Sequence, residues 1–300
     1  MSIYVFSDTT GDVPERFLAE HENVGILPLS FSLDEDNYDN IETKLPIGEF
    51  YARVKAGAVT RTSMCPTFVM EEMMKAQLDK GNDVLFLSVS SQISGNYEGG
   101  ASVVEKLSKE YPNRKIAAVD TKLASGGQWL HLHYVIQERD KGVGFEELLA
   151  YSLNLREHIV SYFTCSDLKH LARLGRLSSA TALIGSVLKL MPVMYVNPNG
   201  KLVAMTKEIG RKKALKKIIL KIQEKISKQG QEGLITITNA GCYEDAAIVK
   251  EELAKVFPKA TIEINDIGPV IGSHTSVGCL AVFSLTDSRI DLEDKEWNNK

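Results

Sequence analysis

The stretch VLFLSVSSQISGNYEGGASVVEKLSKEY, residues 84–111, decides the fold. It opens as an apolar run without polar alternation, passes through a loop of serines and glycine, and ends in a helical pattern. A strand that is apolar on both faces must be covered on both faces, as strands of parallel sheets are. The same grammar recurs on either side. IYVF (3–6) runs into SDTTGD and a helix opened by Pro14. KIAAVD (115–120) runs into TKLASGG and the helix QWLHLHYVIQERDKG, whose closing glycine suits a helix C-terminus. These segments predict a mostly parallel sheet with helices on both faces, and such sheets bind ligands beyond the carboxyl ends of their strands. The hydroxyl-rich loops fall there.

Between these units, residues 34–47 read as an excursion, a small hairpin or flap. TRTSMCPTFVMEEMMKAQLDKG (60–81) places Thr62 and Ser63 just before a helix that Pro66 can start and Gly81 can end. Past residue 158 the pattern changes. SDLKHLARLGRLSSATALIGSVLKL reads as two helices around Gly175, and MPVMYV-NPNG-KLVAMT reads as a hairpin turning at 197–200. A long basic helix follows, then the strands GLITIT, TIEIND and CLAVFSLT with a helix between the first two. The expected organisation is an α/β domain over 1–157, an α+β domain over 158–287, a tail over 288–300, and a ligand between the domains.

Composition narrows the function classes. Hydrophobic residues at 44% and charged residues at 25% are those of a globular protein, and a net charge of −4 leaves no footprint for nucleic acid. The four cysteines show no metal spacing and read as buried thiols in a reducing compartment. The N-terminal residues carry neither a basic segment nor a long apolar run, so a cytoplasmic protein is expected. No G-x-x-x-x-G-K-[ST] loop, G-x-S-x-G elbow or H-E-x-x-H motif occurs, and no cofactor or metal is called for. His131 and His133 stand two apart on a helix and project in nearly opposite directions, one expected buried and one exposed.

IGSHTSVGCLAVF (271–283) sets a single histidine among glycines and hydroxyls at the start of an apolar strand. Ser90, Ser91 and Ser94 precede one helix, and Thr62 and Ser63 another. Unpaired N–H groups at a helix N-terminus, with hydroxyls beside them, suit a carboxylate or phosphate. Each loop taken alone reads as an ordinary N-cap rather than a site. Periodicity does not show that the three loops meet.

Seven motifs do give a direction. FSDTTGD (6–12), TRTSMCP (60–66), SSQISGNYEGGA (90–101), VDTKLASGG (119–127), DLKHLARLGRLSSATALIG (167–185), NPNGKLVAMTK (197–207) and IGPVIGSHTSVG (267–278) resemble, in order and spacing, the DegV family of bacterial fatty-acid-binding proteins. The resemblance implies two α/β domains holding a long-chain fatty acid in an apolar tunnel. It further implies a carrier without catalysis of its own, which presents the carboxylate to a separate ATP-binding kinase subunit for acyl-phosphate formation. Carried over by motif, the carboxylate falls to Thr62, Ser94 and His274, with Ser63, Ser91 and Gly95 in second rank. Arg176 and Arg211 become head-group or partner contacts. The chain departs from the family at Leu174, in place of a glycine, at Ile209, in place of an arginine, and at Ser276 and Val277, in place of glycine and proline.

Residues 211–228 carry eight basic residues against Glu224, with Leu215, Ile218, Ile219, Ile222 and Ile226 at helical spacing. They read as an amphipathic helix with a solvated face. The sharper alternative is a surface for an acidic partner or for transient membrane contact. The rival function is a small-molecule enzyme, either a phosphotransferase or a hydrolase pairing Ser94 with His274, its imidazole oriented by Asp8, Asp120 or Asp266.

Overall fold

The computed structural model describes residues 2–40, 43–167, 170–171, 175–176 and 190–289. Most of the expected helical pair around Gly175, Leu174 among it, lies outside them, as does most of the tail. The chain runs β1 (Ile3–Asp8), α1 (Glu15–Glu20), β2 (Val24–Leu27), β3 (Ser30–Leu33), β4 (Asp36–Tyr38), α2 (Ile47–Lys55), β5 (Thr60–Ser63), α3 (Thr67–Leu78), β6 (Asp83–Ser88), α4 (Asn96–Glu110), β7 (Ile116–Asp120), α5 (Gly126–Arg139) and α6 (Phe145–Leu155). It continues through β8 (Ile159–Thr164), β9 (Leu190–Val196), β10 (Leu202–Ile209), α7 (Arg211–Lys225), β11 (Leu234–Asn239), α8 (Tyr243–Val256), β12 (Thr261–Asp266), α9 (Pro269–Thr275) and β13 (Leu280–Leu285).

The first sheet has the order β2-β1-β6-β7 and is parallel throughout. Alternation along β6 explains its cover. Val84 and Phe86 face α3 and α4, packing with Met70, Met74, Val103 and Leu107, whereas Leu85 and Leu87 join the main core with Leu130 and Val135 of α5. The second sheet, β10-β9-β8-β13-β11-β12, is antiparallel apart from the β11–β12 pair. Its outer face, with Val160, Tyr162, Ile235 and Val282, is covered by Ile218 and Ile222 of α7 and Val249 and Leu253 of α8. Its inner face presents Phe163, Ala281 and Phe283 to the main core. The basic helix is thus amphipathic, with Lys212, Lys213 and Lys216 exposed.

Helix α5 lies between the two sheets and is buried on nearly every side. Gly126 lets the backbone close on the second sheet: a Cβ there would stand 2.7 Å from Phe283, and its carbonyl accepts the Thr236 hydroxyl at 3.1 Å. This position corrects the expectation of one exposed histidine. His131 is fully buried and its Nε2 meets the Ser152 carbonyl at 2.9 Å, while His133 is half-buried against Trp129 and Tyr134. Burial lowers both imidazoles to about 4, so they pack as neutral rings.

Of the excursion at 34–47, Asp36–Tyr38 forms β4, which pairs with the preceding β3 as a hairpin, and β5 extends the pair into a three-stranded antiparallel sheet. Thr62 and Ser63 therefore sit on a strand, with Thr62 opposite Phe31. The β9–β10 hairpin docks on the first half through its turn, where Ser90 donates to the Gly200 carbonyl at 2.9 Å. Gly200 has φ +87°, and a Cβ there would fall within 2.2 Å of Ser90 Oγ. Gly200→Ala combines left-handed strain with this clash and is expected to cost about 1–3 kcal/mol, read as a lower denaturation midpoint with an unchanged m-value.

Candidate functional site

The carboxyl-terminal strand ends of the first sheet open into a cavity of about 280 Å3 between the two sheets. Its apolar wall draws Val89 and Ile93 from the turn after β6, Ile267, Val270 and Ile271 from around α9, and Phe163, Val196, Leu202, Ala281 and Phe283 from the inner face of the second sheet. These second-sheet residues are buried, so this end is closed. Thr62, Ser63, Ser94, Gly95, Arg176 and His274 border the other part, where Ser63 and Gly95 are exposed. The cavity has an apolar interior and a polar rim.

Residues 269–275, read from sequence as a loop, form a short helix. Pro269 opens it at a position where its missing N–H costs nothing, and Ser276, at φ 59°, ends it. Its glycine, serine and threonine content hides it from helix propensity, and packing against α2 and β5 supplies the stability instead. His274 lies in its last turn, with Nε2 2.8 Å from Thr62 Oγ1 across 212 positions of chain. Burial, with Arg176 and His170 nearby, lowers the imidazole to about 4, so it is neutral at pH 7. Its Nδ1 is buried without a hydrogen-bond partner among the described residues. His170 Nε2 and Thr60 Oγ1 both meet the Ser273 carbonyl, fixing the adjacent backbone.

Ser94 caps locally, its Oγ accepting the Asn96 N–H at 3.2 Å, and the Arg176 guanidinium donates to the Ile93 carbonyl at 3.2 Å. Two residues named from sequence lie outside the cavity wall. Ser91 donates to Asp120 at 2.7 Å, tying the turn after β6 to the end of β7. Arg211 pairs with Asp245 at 2.8 Å and donates to the Gly278 carbonyl at 2.6 Å, behind the stretch that follows α9. Ile209 is 67% exposed.

Among the described residues, Ser94, His274 and the three acids do not assemble a hydrolytic triad. His274 pairs with Thr62, and the three acids are engaged elsewhere: Asp8 with Asn96, Asp120 with Ser91, and Asp266 with Asn239.

Two residues that hold the site, Asp8 and Asn96, lie within the motifs FSDTTGD and SSQISGNYEGGA, but no positioning role was legible for them. Buried Asp8 accepts from the Thr10 hydroxyl and backbone, from the Val89 N–H at 3.0 Å and from Asn96 Nδ2 at 2.9 Å. Asn96 Oδ1 in turn accepts the Cys65 N–H at 3.1 Å. One carboxylate and one amide thus position the β5 segment against the turn bearing Ser94. Asp8 ends an apolar strand and Asn96 opens a helix, and neither place tells which segments the two residues tie together.

Asp12 accepts the Gly268 N–H at 2.8 Å, at the start of α9, and the hydroxyl of Ser125. Burial, and secondarily Asp266 and Asp8, pushes its carboxyl up to about 7. A folded pKa above the unfolded value near 4 means this contribution to stability is complete below pH 4 and lost as pH rises through 7. Asp12→Asn keeps an acceptor for Gly268 without the charge. It is expected to raise stability at pH 8 by on the order of 1 kcal/mol and to flatten the thermal-melting profile between pH 4 and 8.

An apolar cavity between two sheets, closed at one end and bordered at the other by hydroxyls, an imidazole and a guanidinium, defines a small-molecule-binding protein for an amphipathic ligand. Comparisons give that class its family. The family described as "Uncharacterised protein, DegV family" matches residues 2–287, and the chain belongs to it. A DegV domain-containing protein of Clostridium perfringens is 34% identical over 95% of this chain and 98% of its own length. Among solved structures, a fatty-acid-binding DegV family protein from Thermus thermophilus aligns with TM-score 0.84 and 26% identity, covering 95% of this chain and 100% of the other. DegV of Bacillus subtilis, described as a fatty acid binding protein, aligns with TM-score 0.82 and 27% identity, covering 96% and 100%. Among the described residues no helix is long and apolar enough to cross a membrane.

Proposed function

We propose that the protein binds one long-chain fatty acid, its tail in the cavity between the sheets and its carboxylate at Thr62, Ser94 and His274, with Ser63, Gly95 and Arg176 beside them. The observation that carries this reading is the Thr62–His274 pair, 2.8 Å apart, at the polar rim of an otherwise apolar cavity. A proton on Nε2 is donated to Thr62 Oγ1 and leaves the threonine hydroxyl hydrogen for the ligand. Arg176 supplies the opposite charge. Burying a methylene is worth roughly 0.8 kcal/mol, so about fifteen contribute on the order of 12 kcal/mol before ordering and association costs. The tail sets affinity, and the polar rim sets direction and identity.

The finer part of the proposal is a partner. The bound acid is presented to a separate ATP-binding kinase subunit, which supplies the phosphoryl group. The family resemblance supports this, and exposed Ile209 marks where the chain departs from the family's basic residue. Native mass spectrometry of purified protein, followed by lipid extraction, tests carriage: a mass increment matching one long-chain acid is expected. Protein that is empty and takes up no added acid would overturn it. Acyl-phosphate formation with kinase and ATP tests partnership separately.

A further inference from the structure

Two of the four cysteines meet beside the cavity. Cys165 follows β8, Cys279 precedes β13, and the antiparallel register pairing Thr164 with Leu280 sets them directly opposite each other. Their sulfurs lie 3.0 Å apart, both buried, although 114 positions separate them in the chain. Opposed residues of an antiparallel pair have Cα atoms about 4.5–5.5 Å apart, inside the span of about 4.4–6.8 Å that a disulfide bridges. The two thiols differ in access. Cys279 borders the cavity, whereas Cys165 is wholly buried outside its lining.

We propose that Cys165 and Cys279 form a reversible dithiol–disulfide site, oxidised by a hydroperoxide that reaches Cys279 through the cavity. The Cys279 sulfur attacks the near peroxide oxygen and the O–O bond breaks. The departing oxygen takes the thiol proton and leaves as alcohol or water, with Cys279 left as sulfenic acid. The Cys165 sulfur then attacks the sulfenic sulfur, the S–O bond breaks, and water leaves with the second thiol proton. Two electrons pass from the sulfurs to the peroxide. An added dithiol reverses the change by thiol–disulfide exchange. Burial, and then Cys279 itself, holds the Cys165 thiol well above its ordinary range, so closure is slow at neutral pH and accelerates as pH rises.

The consequence rests on the fatty-acid reading. A filled cavity screens Cys279, so occupancy protects the pair. Once formed, the disulfide ties Cys165, just past β8, covalently to Cys279 in the cavity wall, and exchange of the occupant slows.

The test treats delipidated and oleate-loaded full-length protein with hydrogen peroxide and maps the peptides. The expected result is a Cys165–Cys279 linkage with loss of two hydrogens in the delipidated protein, strongly reduced in the loaded protein and reversed by dithiothreitol. Cys165→Ser should stop at a dimedone-reactive Cys279, while Cys279→Ser should leave Cys165 unmodified. Exchange of a fluorescent fatty acid should slow several-fold after oxidation. Oxidation confined to Cys65 or Cys242 would overturn the proposal, as would equal linkage in loaded and delipidated protein. If reduced protein takes up no fluorescent acid, the fatty-acid reading falls, and the peptide map still decides the disulfide.

Discussion

Replacing Thr62 by valine is expected to lower fatty-acid affinity about 10–100-fold while leaving the fold in place. The substitution keeps the shape and removes one hydroxyl, so the loss is that of a hydrogen bond to a charged group, about 1.5–3 kcal/mol. Thr62 is half-buried on β5, at the edge of a small antiparallel sheet, and valine suits a strand. His274→Ala is expected to lose at least as much, because it removes the imidazole that orients Thr62 and opens the wall beside it. A carboxylate arriving beside His274 also favours the protonated ring, raising a pKa that stands at about 4 in the ligand-free protein. Titration of the imidazole by NMR should therefore shift to higher pH on loading in the native protein and remain shifted in Thr62→Val. Unchanged affinity in both variants would remove the head group from this end of the cavity.

Asn96→Ala is expected to destabilise the protein by about 3 kcal/mol and to impair binding as well. The side chain gives a donor to Asp8 and an acceptor to the Cys65 N–H, all buried, and each group left unpaired costs about 1–3 kcal/mol. Asp8 already sits above the usual carboxylate range because burial outweighs its hydrogen bonds. Losing one donor raises it further, so the variant should lose more stability at pH 8 than at pH 5. Denaturant titration at the two pH values reads this directly. Asn96→Asp retains the acceptor for Cys65 but sets a second carboxylate against Asp8, and it should fail most at high pH. An Asn96→Ala protein as stable as the parent would show that water replaces the amide, and the positioning role would fall.

Legibility followed the range of the interactions. Strands β1, β6 and β7 showed themselves as apolar runs because both faces are covered within the same local βαβ units, whereas the shorter β2 was not read. The β9–β10 hairpin was legible from NPNG, since a turn of this kind depends on four consecutive residues. Residues 269–275 were not, because their helix is held by packing against α2 and β5 rather than by propensity. The hydroxyls were ambiguous for a related reason. Ser91 and Ser94 look alike in the chain, yet Ser91 turns to Asp120 and Ser94 borders the cavity.

The sequence by itself determined three of the four strands of the parallel sheet, the helices that follow them and, through seven ordered motifs, the family. Tertiary structure alone decided that Thr62 meets His274, that Asp8 and Asn96 hold two segments of the site in place, and that Cys165 faces Cys279. The physical reason is that strands, turns and caps are set by neighbours a few residues apart and leave a local pattern. A site drawn from β5, the turn after β6 and α9 exists only once two sheets have packed around α5, and no local pattern records which side chains that packing brings together.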